Sequence, residues 1–408
     1  HLQLCRAALD GAECFPWSQP LGDSLDRLEA RGERRVVVLA SGDPHWHGIA
    51  NTLVQRFGRE AVQVLPAVSA FSLAASALGW PIEQTRCRSL HAHELSQLSV
   101  WCATGAKLLL LTRDGKAPRT IADTLRAIGY EQARVQVLEH LGGDNQTLSA
   151  WLGTEDVAPE YAALNVVALE IPHSASPHSA TALPGLPDHA FEHDGQLTKR
   201  SVRAVTLAKL QAVPGQCLWD LGAGCGSVAI EWTRAALAQL PGTVSSKVVL
   251  ACAVETKPER IAMIEHNRSA LGTPQVAVYP HSIADCLEQL PDPDAIFIGG
   301  GLTQWRDPQA SSLVNGLALI ESCMARLPAG GRLVINVVTT ESEAVVLSAA
   351  QQFGGELERL SVSTSQAVGR YTALQPAMAV LQWAWVKASH GDGSRAPGTA
   401  NQGVDAHA

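Results

Sequence analysis

Apolar residues in this chain fall into short unbroken runs separated by stretches where they recur every third or fourth position. The first run, Val36 to Ala40 after Arg35, leads into the turn Ser41-Gly42-Asp43-Pro44. It reads as a strand over 35–40, buried on both faces of a parallel sheet. A helical pattern over 49–57 and a short strand over 62–65 follow. Pro66-Ala67-Val68-Ser69 then opens an Ala-rich helix that ends at Leu78. Further strands are expected at 107–112, 134–139 and 165–171, with a helix over 117–128. Strands alternating with helices predict an α/β fold. The segment Pro172-His173-Ser174-Ala175-Ser176-Pro177-His178-Ser179 has neither period, and it closes at Pro184-Gly185. It marks a domain boundary. Beyond it the alternation restarts, with strands over 216–221, 247–254, 275–279, 295–298 and 331–337. Helices are expected at 202–210, 228–237, 258–271, 314–325 and 341–353. The chain thus divides into an α/β domain over 1–171, a linker over 172–184 and a second α/β domain over 185–387. A Gly/Ser/Ala/Asn-rich tail over 388–408 is expected to be disordered. No internal repeat relates the halves.

A length of 408 residues agrees with two domains. Hydrophobic content of 46% against 17% charged residues describes folded cores and excludes a disordered chain. The net charge of −8, with no sustained Lys/Arg run, disfavours a nucleic-acid partner. Nine scattered cysteines, odd in number and without a C-x-x-C pair, read as reduced thiols of a cytoplasmic protein. No apolar stretch approaches the roughly 18 residues of a membrane span, and no signal peptide is visible. The chain opens on His1 rather than Met, with no strand ahead of its first helix.

The strongest chemical signal is Leu218-Trp219-Asp220-Leu221-Gly222-Ala223-Gly224-Cys225-Gly226. A strand ends at Asp220, glycines form the turn, and a helix starts near Val228. Such a turn brings backbone close to a ligand at a helix N-terminus. Glu255 ends the next strand, where a carboxylate can accept hydrogen bonds from both hydroxyls of a ribose. A lone G-x-G-x-G is equally a tight βα turn. The preceding strand, the following helix and the acidic end of the second strand separate this one from that case. The D-x-G-x-G-x-G form looks like the cofactor loop of class I methyltransferases, which implies S-adenosylmethionine. The loop after the fourth strand reads Gly299-Gly300-Gly301 instead of the Asn/Asp-Pro-Pro-Tyr/Phe used to hold a planar nitrogen. Glycines there suit a flat, bulky acceptor, and they offer no side-chain base. An electron-rich carbon needs none, because positioning supplies most of the acceleration.

Taken with Phe191 to Arg200 and Ile230-Glu231-Trp232, these motifs resemble the decarboxylating precorrin methyltransferase domain of cobalamin biosynthesis. The resemblance implies cofactor contacts at Thr198, Gly222, Ala223, Gly224, Cys225, Gly226, Glu255 and Ile283, with Asp220 in the same loop. Members usually carry Gly-Asp-Ala after His281, whereas this chain has Ser282-Ile283-Ala284, which leaves a backbone contact at Ile283. In the first half, Ser41 to Pro44, Pro66 to Ala70 and Leu141-Gly142-Gly143 resemble the tetrapyrrole methylase fold. That is the two-lobed class III fold, which binds the same cofactor between its lobes. It implies contacts at Gly42, Asp43, Ser69, Ala70, Thr112 and Leu141. Its first strand and Gly/Pro-rich loop have no counterpart after His1, so the sequence is expected to begin about two dozen residues into the domain. A tetrapyrrole methylase domain followed by a Rossmann-like class I domain is the order of a two-domain precorrin methyltransferase family. That order implies methylation of carbons 5 and 15 and decarboxylation of the ring C acetate. Carbon 5 falls to the first half, and carbon 15 with decarboxylation to the second. A homo-oligomer is expected.

A many-carboxylate substrate needs cations, and Lys199, Arg200 and Arg203 are candidates beside Gly299, Gly300 and Gly301. Their plain alternative is a solvated helix face. His45/His47 and His91/His93 lack a third ligand, so no metal is expected. Cys225 reads as packing, Trp219 and Trp232 as core, and Glu192, Asp194 and Glu231 as surface or capping carboxylates. Two other classes fit the same residues. One is an RNA or protein methyltransferase with an N-terminal recognition domain; the other is a non-catalytic S-adenosylmethionine-binding module.

Overall fold

Residues 11–32, 35–91, 93–151, 160–173, 183–240, 248–303 and 309–388 are described by a computed structural model. The tail beyond Ala388 and most of the expected linker lie outside these residues. Contacts divide the chain into two units: 1–92 with 104–175, and 93–103 with 176–408.

The first unit contains α1 (Leu21–Glu29), α2 (Ala50–Phe57), α3 (Ala70–Leu78), β1 (Thr85–Ser89) and β2 (Lys107–Leu111). α4 (Leu98–Trp101) interrupts it and groups with the second unit. α5 (Ala117–Ala127), β3 (Arg134–Glu139), β4 (Thr147–Trp151) and β5 (Asn165–Glu170) complete the first unit. The strands form a mixed sheet in the order β1-β2-β5-β3-β4, parallel only between β1 and β2. Ser69 caps α3, its hydroxyl accepting from the Ser72 N–H at 3.0 Å, and Gly79 ends the helix in the left-handed region. Phe71 and Ala74 of that helix pack on Leu109, Leu138 and Val166 of the sheet.

Two expected strands are absent. Among the described residues, 35–40 and 62–65 have no ladder partner, and Val37 and Leu65 are 76% and 73% exposed. Apolar runs predict burial, but a strand also needs a neighbour to take its N–H and C=O groups. The converse error is β1, whose Thr-Arg-Cys-Arg-Ser sequence carries no apolar signal yet pairs in register with Lys107 to Leu111.

The second unit runs α6 (Arg200–Leu210), β6 (Leu218–Leu221), α7 (Ser227–Ala238), β7 (Ala251–Val254), α8 (Pro258–Ala270) and β8 (Val276–Tyr279). It continues with α9 (Ile283–Cys286), β9 (Ala295–Ile298), α10 (Ser312–Arg326), β10 (Arg332–Val337) and α11 (Thr340–Phe353). Four further strands close it: β11 (Glu356–Leu360), β12 (Ser363–Val368), β13 (Tyr371–Pro376) and β14 (Val380–Val386). The main sheet has the order β11-β14-β10-β9-β6-β7-β8. Only β14 is reversed, running antiparallel to β10 and β11. Alternation along the strands sorts the core into two layers. Trp219, Leu221, Val254, Ile296, Ile298, Leu333 and Ile335 face Leu319 and Ile320 of α10 and Val345 and Val346 of α11. Leu218, Ala251, Ala253, Phe297 and Val334 face Leu207, Val228, Trp232 and Ile264 of α6, α7 and α8. This is the doubly wound class I fold, with its crevice at the carboxyl ends of β6, β7 and β9. The sequence pattern stopped at α11; β11, β14 and the exposed β12–β13 hairpin were not expected. Among the described residues no helix is long and apolar enough to cross a membrane.

Candidate functional site

In the second unit, the loop between β6 and α7 turns sharply because Gly222, Gly224 and Gly226 all take positive φ. The first two also lie against neighbouring backbone. A Cβ on Gly222 would stand 2.8 Å from the Gly300 carbonyl oxygen, and one on Gly224 would stand 3.4 Å from that of Gln196. A Cβ on Gly301 would reach within 3.2 Å of the Ile283 side chain. The turn after β9, Ile283 and the glycine loop are therefore brought together. The loop N–H groups, expected to face a ligand, are largely used within the protein. Gly222 and Ala223 both donate to the Val254 carbonyl, Gly226 to that of Ala223, and Gly224 to Glu255 Oε2 at 3.0 Å. What remains is a surface free of side chains, backed by two buried carboxylates.

Glu255 holds its position by accepting from Thr256 and Lys257 N–H through Oε1, at 2.8 and 3.1 Å. Asp220 accepts from the Ala229 N–H through Oδ2 at 3.0 Å, while its Oδ1 is buried without a hydrogen-bond partner. Burial, aided by the negative charge of Glu255, pushes the Asp220 carboxyl up to about 7 against the single opposing N–H bond. A cradle with no side chains, a carboxylate at the end of β7 and an unsatisfied acidic oxygen fit a ligand with ribose hydroxyls and an ammonium group. S-adenosylmethionine has both. Cys225 is buried in the core, its thiol pushed up by burial, as expected of a packing residue. Trp219 and Trp232 are fully buried.

Two expectations about charged residues need correction. Arg203 is fully buried and cannot hold a substrate carboxylate. Its guanidinium donates to Glu231 Oε1, Asp188 Oδ1 and the carbonyls of Thr198 and Leu186, and it stacks 4.9 Å from the Phe191 ring. Glu231 is not a surface group either. It is 2% exposed and accepts from the Gly185 and Leu186 N–H groups as well as from Arg203. Asp194 does lie at the surface as expected, its Oδ1 accepting from the Gln196 N–H and its Oδ2 from Arg260. Lys199 and Arg200 remain exposed at the start of α6, the Lys199 ammonium 3.5 Å from the Gly195 carbonyl. Thr198 is half-buried and is held through its carbonyl by Arg203.

Sequence reasoning missed the two polar residues of α8 that face this site. Arg260 donates to Asp194 Oδ2 at 2.8 Å and to Gln196 Oε1 at 2.7 Å. Asn267, buried, joins Glu192 to the glycine loop. The signal was present: two polar residues seven apart lie on one helix face, behind an acidic strand end.

In the first unit Gly42 has φ +63°, and its Cβ position is 3.6 Å from the Ala70 nitrogen and the Ser69 Cα. Gly42, Asp43, Ser69 and Ala70 are thus neighbours. Asp43 Oδ1 accepts from the His45 N–H at 2.8 Å. Ala70 and Leu141 pack on one apolar cluster. Thr112, at the end of β2, gives its hydroxyl to Asn165, so only its backbone is free for a ligand. His45 Nδ1 faces Asn51 Oδ1 at 3.1 Å, and the His47 ring lies edge-on to Phe71.

Comparison with known proteins extends these observations over nearly the whole chain. The family model of the precorrin methyltransferase domain matches residues 189–387. That of the tetrapyrrole (corrin/porphyrin) methylases matches residues 22–155. A precorrin-6Y C(5,15)-methyltransferase (decarboxylating) of Sinorhizobium is 38% identical over 390 residues, which span 95% of this chain and 88% of the relative. The Mycobacterium tuberculosis protein of the same name is 36% identical over 92% of this chain and 88% of its own. The cobalt-precorrin-7 C(5)-methyltransferase of Salmonella typhimurium is 31% identical over 39% of this chain and 78% of its own. With two methylase units in this order and a glycine cradle suited to the methyl donor, the chain belongs to the S-adenosylmethionine-dependent, decarboxylating precorrin-6Y C(5,15)-methyltransferase family.

Proposed function

We propose that this protein methylates a precorrin macrocycle at carbons 5 and 15 and removes the carboxyl group of the ring C acetate, in cobalamin biosynthesis. The observation that carries this reading is the similarity of 95% of the chain to a relative named for both methylations and the decarboxylation. The first unit serves carbon 5, and Gly42, Asp43, Ser69 and Ala70 contribute to its donor site, with backbone at Thr112 and Leu141. The Salmonella relative, named for the C(5) reaction alone, aligns with well under half of this chain, which supports an activity separable by domain. The second unit serves carbon 15 and the decarboxylation.

Bound S-adenosylmethionine supplies a methyl group made electrophilic by its sulfonium. The protein's part is to bind, orient and exclude water. Glu255 would accept the ribose hydroxyls, Gly222 to Gly226 would carry the amino-acid portion, and Asp220 Oδ1 would take its ammonium. Ile283 and Thr198 would help hold the donor. The Gly299 to Gly301 turn, which has no side chains, admits the flat macrocycle, and Lys199 and Arg200 meet its peripheral carboxylates. In decarboxylation the bond to the carboxyl carbon breaks, carbon dioxide leaves, and the conjugated macrocycle takes the electron pair before a proton replaces it.

The test is anaerobic incubation of the full chain with reduced precorrin and methyl-labelled donor, followed by mass spectrometry. Two methyls gained and one carboxyl lost are expected. Gly224→Val places a branched side chain at φ +59° beside the Gln196 carbonyl; it should yield a product lacking the carbon 15 methyl. Gly42→Val should yield a product lacking only the carbon 5 methyl. If Gly224→Val still gains both methyls, the assignment of the second unit is wrong.

A further inference from the structure

Between the second unit's first residues and α6, the segment Glu192 to Thr198 passes over the glycine loop. The Gln196 carbonyl stands against Gly224, and Gly195 bends the segment with φ +94°. Two internal bonds shape it: Gln196 N–H to Asp194 Oδ1 and Gly195 N–H to His193 Nδ1, both at 3.0 Å. One helix face holds it at its start and its middle, while Arg203 of α6 holds the Thr198 carbonyl at its end. At the upstream end the Asn267 amide is saturated by backbone. Its Oδ1 accepts from the Glu192 N–H at 2.8 Å, and its Nδ2 donates to the Glu192 carbonyl at 2.9 Å and to the Cys225 carbonyl at 3.0 Å. A single buried amide therefore joins the strap to the loop it covers.

Seven residues earlier on α8, Arg260 forks to Asp194 and Gln196. Its other guanidinium nitrogen lies 4.0 Å from Glu255 Oε2, the oxygen that accepts the Gly224 N–H. The Gln196 N–H bond first, and the Arg260 bond after it, hold the Asp194 carboxyl below the usual carboxylate range. The two attachments differ in kind. Asn267 is sealed in the core, whereas the strap residues held by Arg260 face solvent.

We infer that α8 positions the methyl-donor site through a strap, with Asn267 as fixed anchor and Arg260 as releasable latch between Asp194–Gln196 and the ribose carboxylate Glu255. The inference rests on the reading of residues 220–226 as the donor loop. Arg260 acts through the strap and Glu255; it is a positioning residue and not a catalytic one. Donor enters when the latch opens, and the closed latch slows its escape. Because the Asp194 side of this ion pair faces solvent, its grip weakens as salt rises.

The experiment is calorimetric titration of the full chain with S-adenosylmethionine at low and high salt, paired with hydrogen exchange of the strap. Wild type, Arg260→Met, Arg260→Lys and Gly224→Val are compared. Wild type should bind with an affinity that falls with salt, and donor should slow strap exchange. Arg260→Met should weaken the second-unit site roughly three- to tenfold, flatten its salt dependence and speed strap exchange without donor. Arg260→Lys keeps one ion pair and loses the fork, and should fall between them. If Arg260→Met binds donor as wild type does at both salt levels, or donor leaves strap exchange unchanged, the latch is overturned. If Gly224→Val also binds like wild type, it is the donor-loop reading that fails.

Discussion

Asp220 shows best how one residue in a donor site carries a cost that the fold bears. Its carboxyl is buried, with one oxygen unpartnered, and titrates at about 7. A carboxyl with a raised native pKa binds its proton more tightly folded than unfolded. The donor-free protein therefore loses stability as pH rises from about 4 through 7, by up to about 4 kcal/mol. Asp220→Asn keeps an oxygen for the Ala229 N–H and removes the buried charge. In thermal melts without donor, the variant should melt above wild type at about pH 8, with the gap closing towards about pH 5 as the wild-type carboxyl protonates. A gap that does not change with pH would show that the Asp220 carboxyl does not titrate between these pH values. At this scale the sequence was legible where the residue type is dictated by geometry, as in the positive-φ glycines around Asp220. It was illegible where a side chain could face either way. Lys199, Arg200 and Arg203 look alike in sequence, yet helical spacing turns only Arg203 inward, where Glu231 waits on a different helix.

Elements were readable in proportion to how local their cause is. The helices α3, α5, α8 and α11 follow from apolar periodicity and caps such as Ser69 and Thr339, and each stands within a few residues of expectation. Strands depend on partners. Val36 to Ala40 has the composition of a strand and no ladder, while Thr85 to Ser89 has the ladder without the composition. β14 could have been found, since Val380-Leu381-Gln382-Trp383-Ala384-Trp385-Val386 is rich in residues that suit a half-buried sheet. The join between α6 and α7 is the element-level feature with the largest expected energy. Arg203 and Glu231 are both buried and tie residues 185–186 to both helices. Arg203→Met leaves the Glu231 charge without its cation. A loss of about 3–5 kcal/mol is expected, read from the denaturant midpoint. Adding Glu231→Gln should restore part of it. Had Arg203 held substrate, the single variant would keep its stability and lose only affinity for the macrocycle.

At the scale of the whole molecule, the two units place unlike loops at unlike sheets. The second has a glycine cradle with two acidic residues at parallel strand ends, and the first gathers Gly42, Asp43, Ser69 and Ala70 beside a mixed sheet. Nothing in one loop substitutes chemically for the other, so each unit should bind its own donor. Calorimetry of the full chain should therefore give two S-adenosylmethionine molecules per chain, and one for either Gly224→Val or Gly42→Val. Binding to the native state alone stabilises a unit by about 2.7 kcal/mol at a donor concentration of about 100 times Kd. Hydrogen exchange can read this for each unit separately. In wild type, donor should slow exchange in the cores around Leu109 and Val166 and around Leu218 and Phe297 alike. Gly224→Val should keep the first response and lose the second. Loss of both responses together would mean that one donor site serves the chain, and the division of labour between carbons 5 and 15 would have to be sought within a single unit.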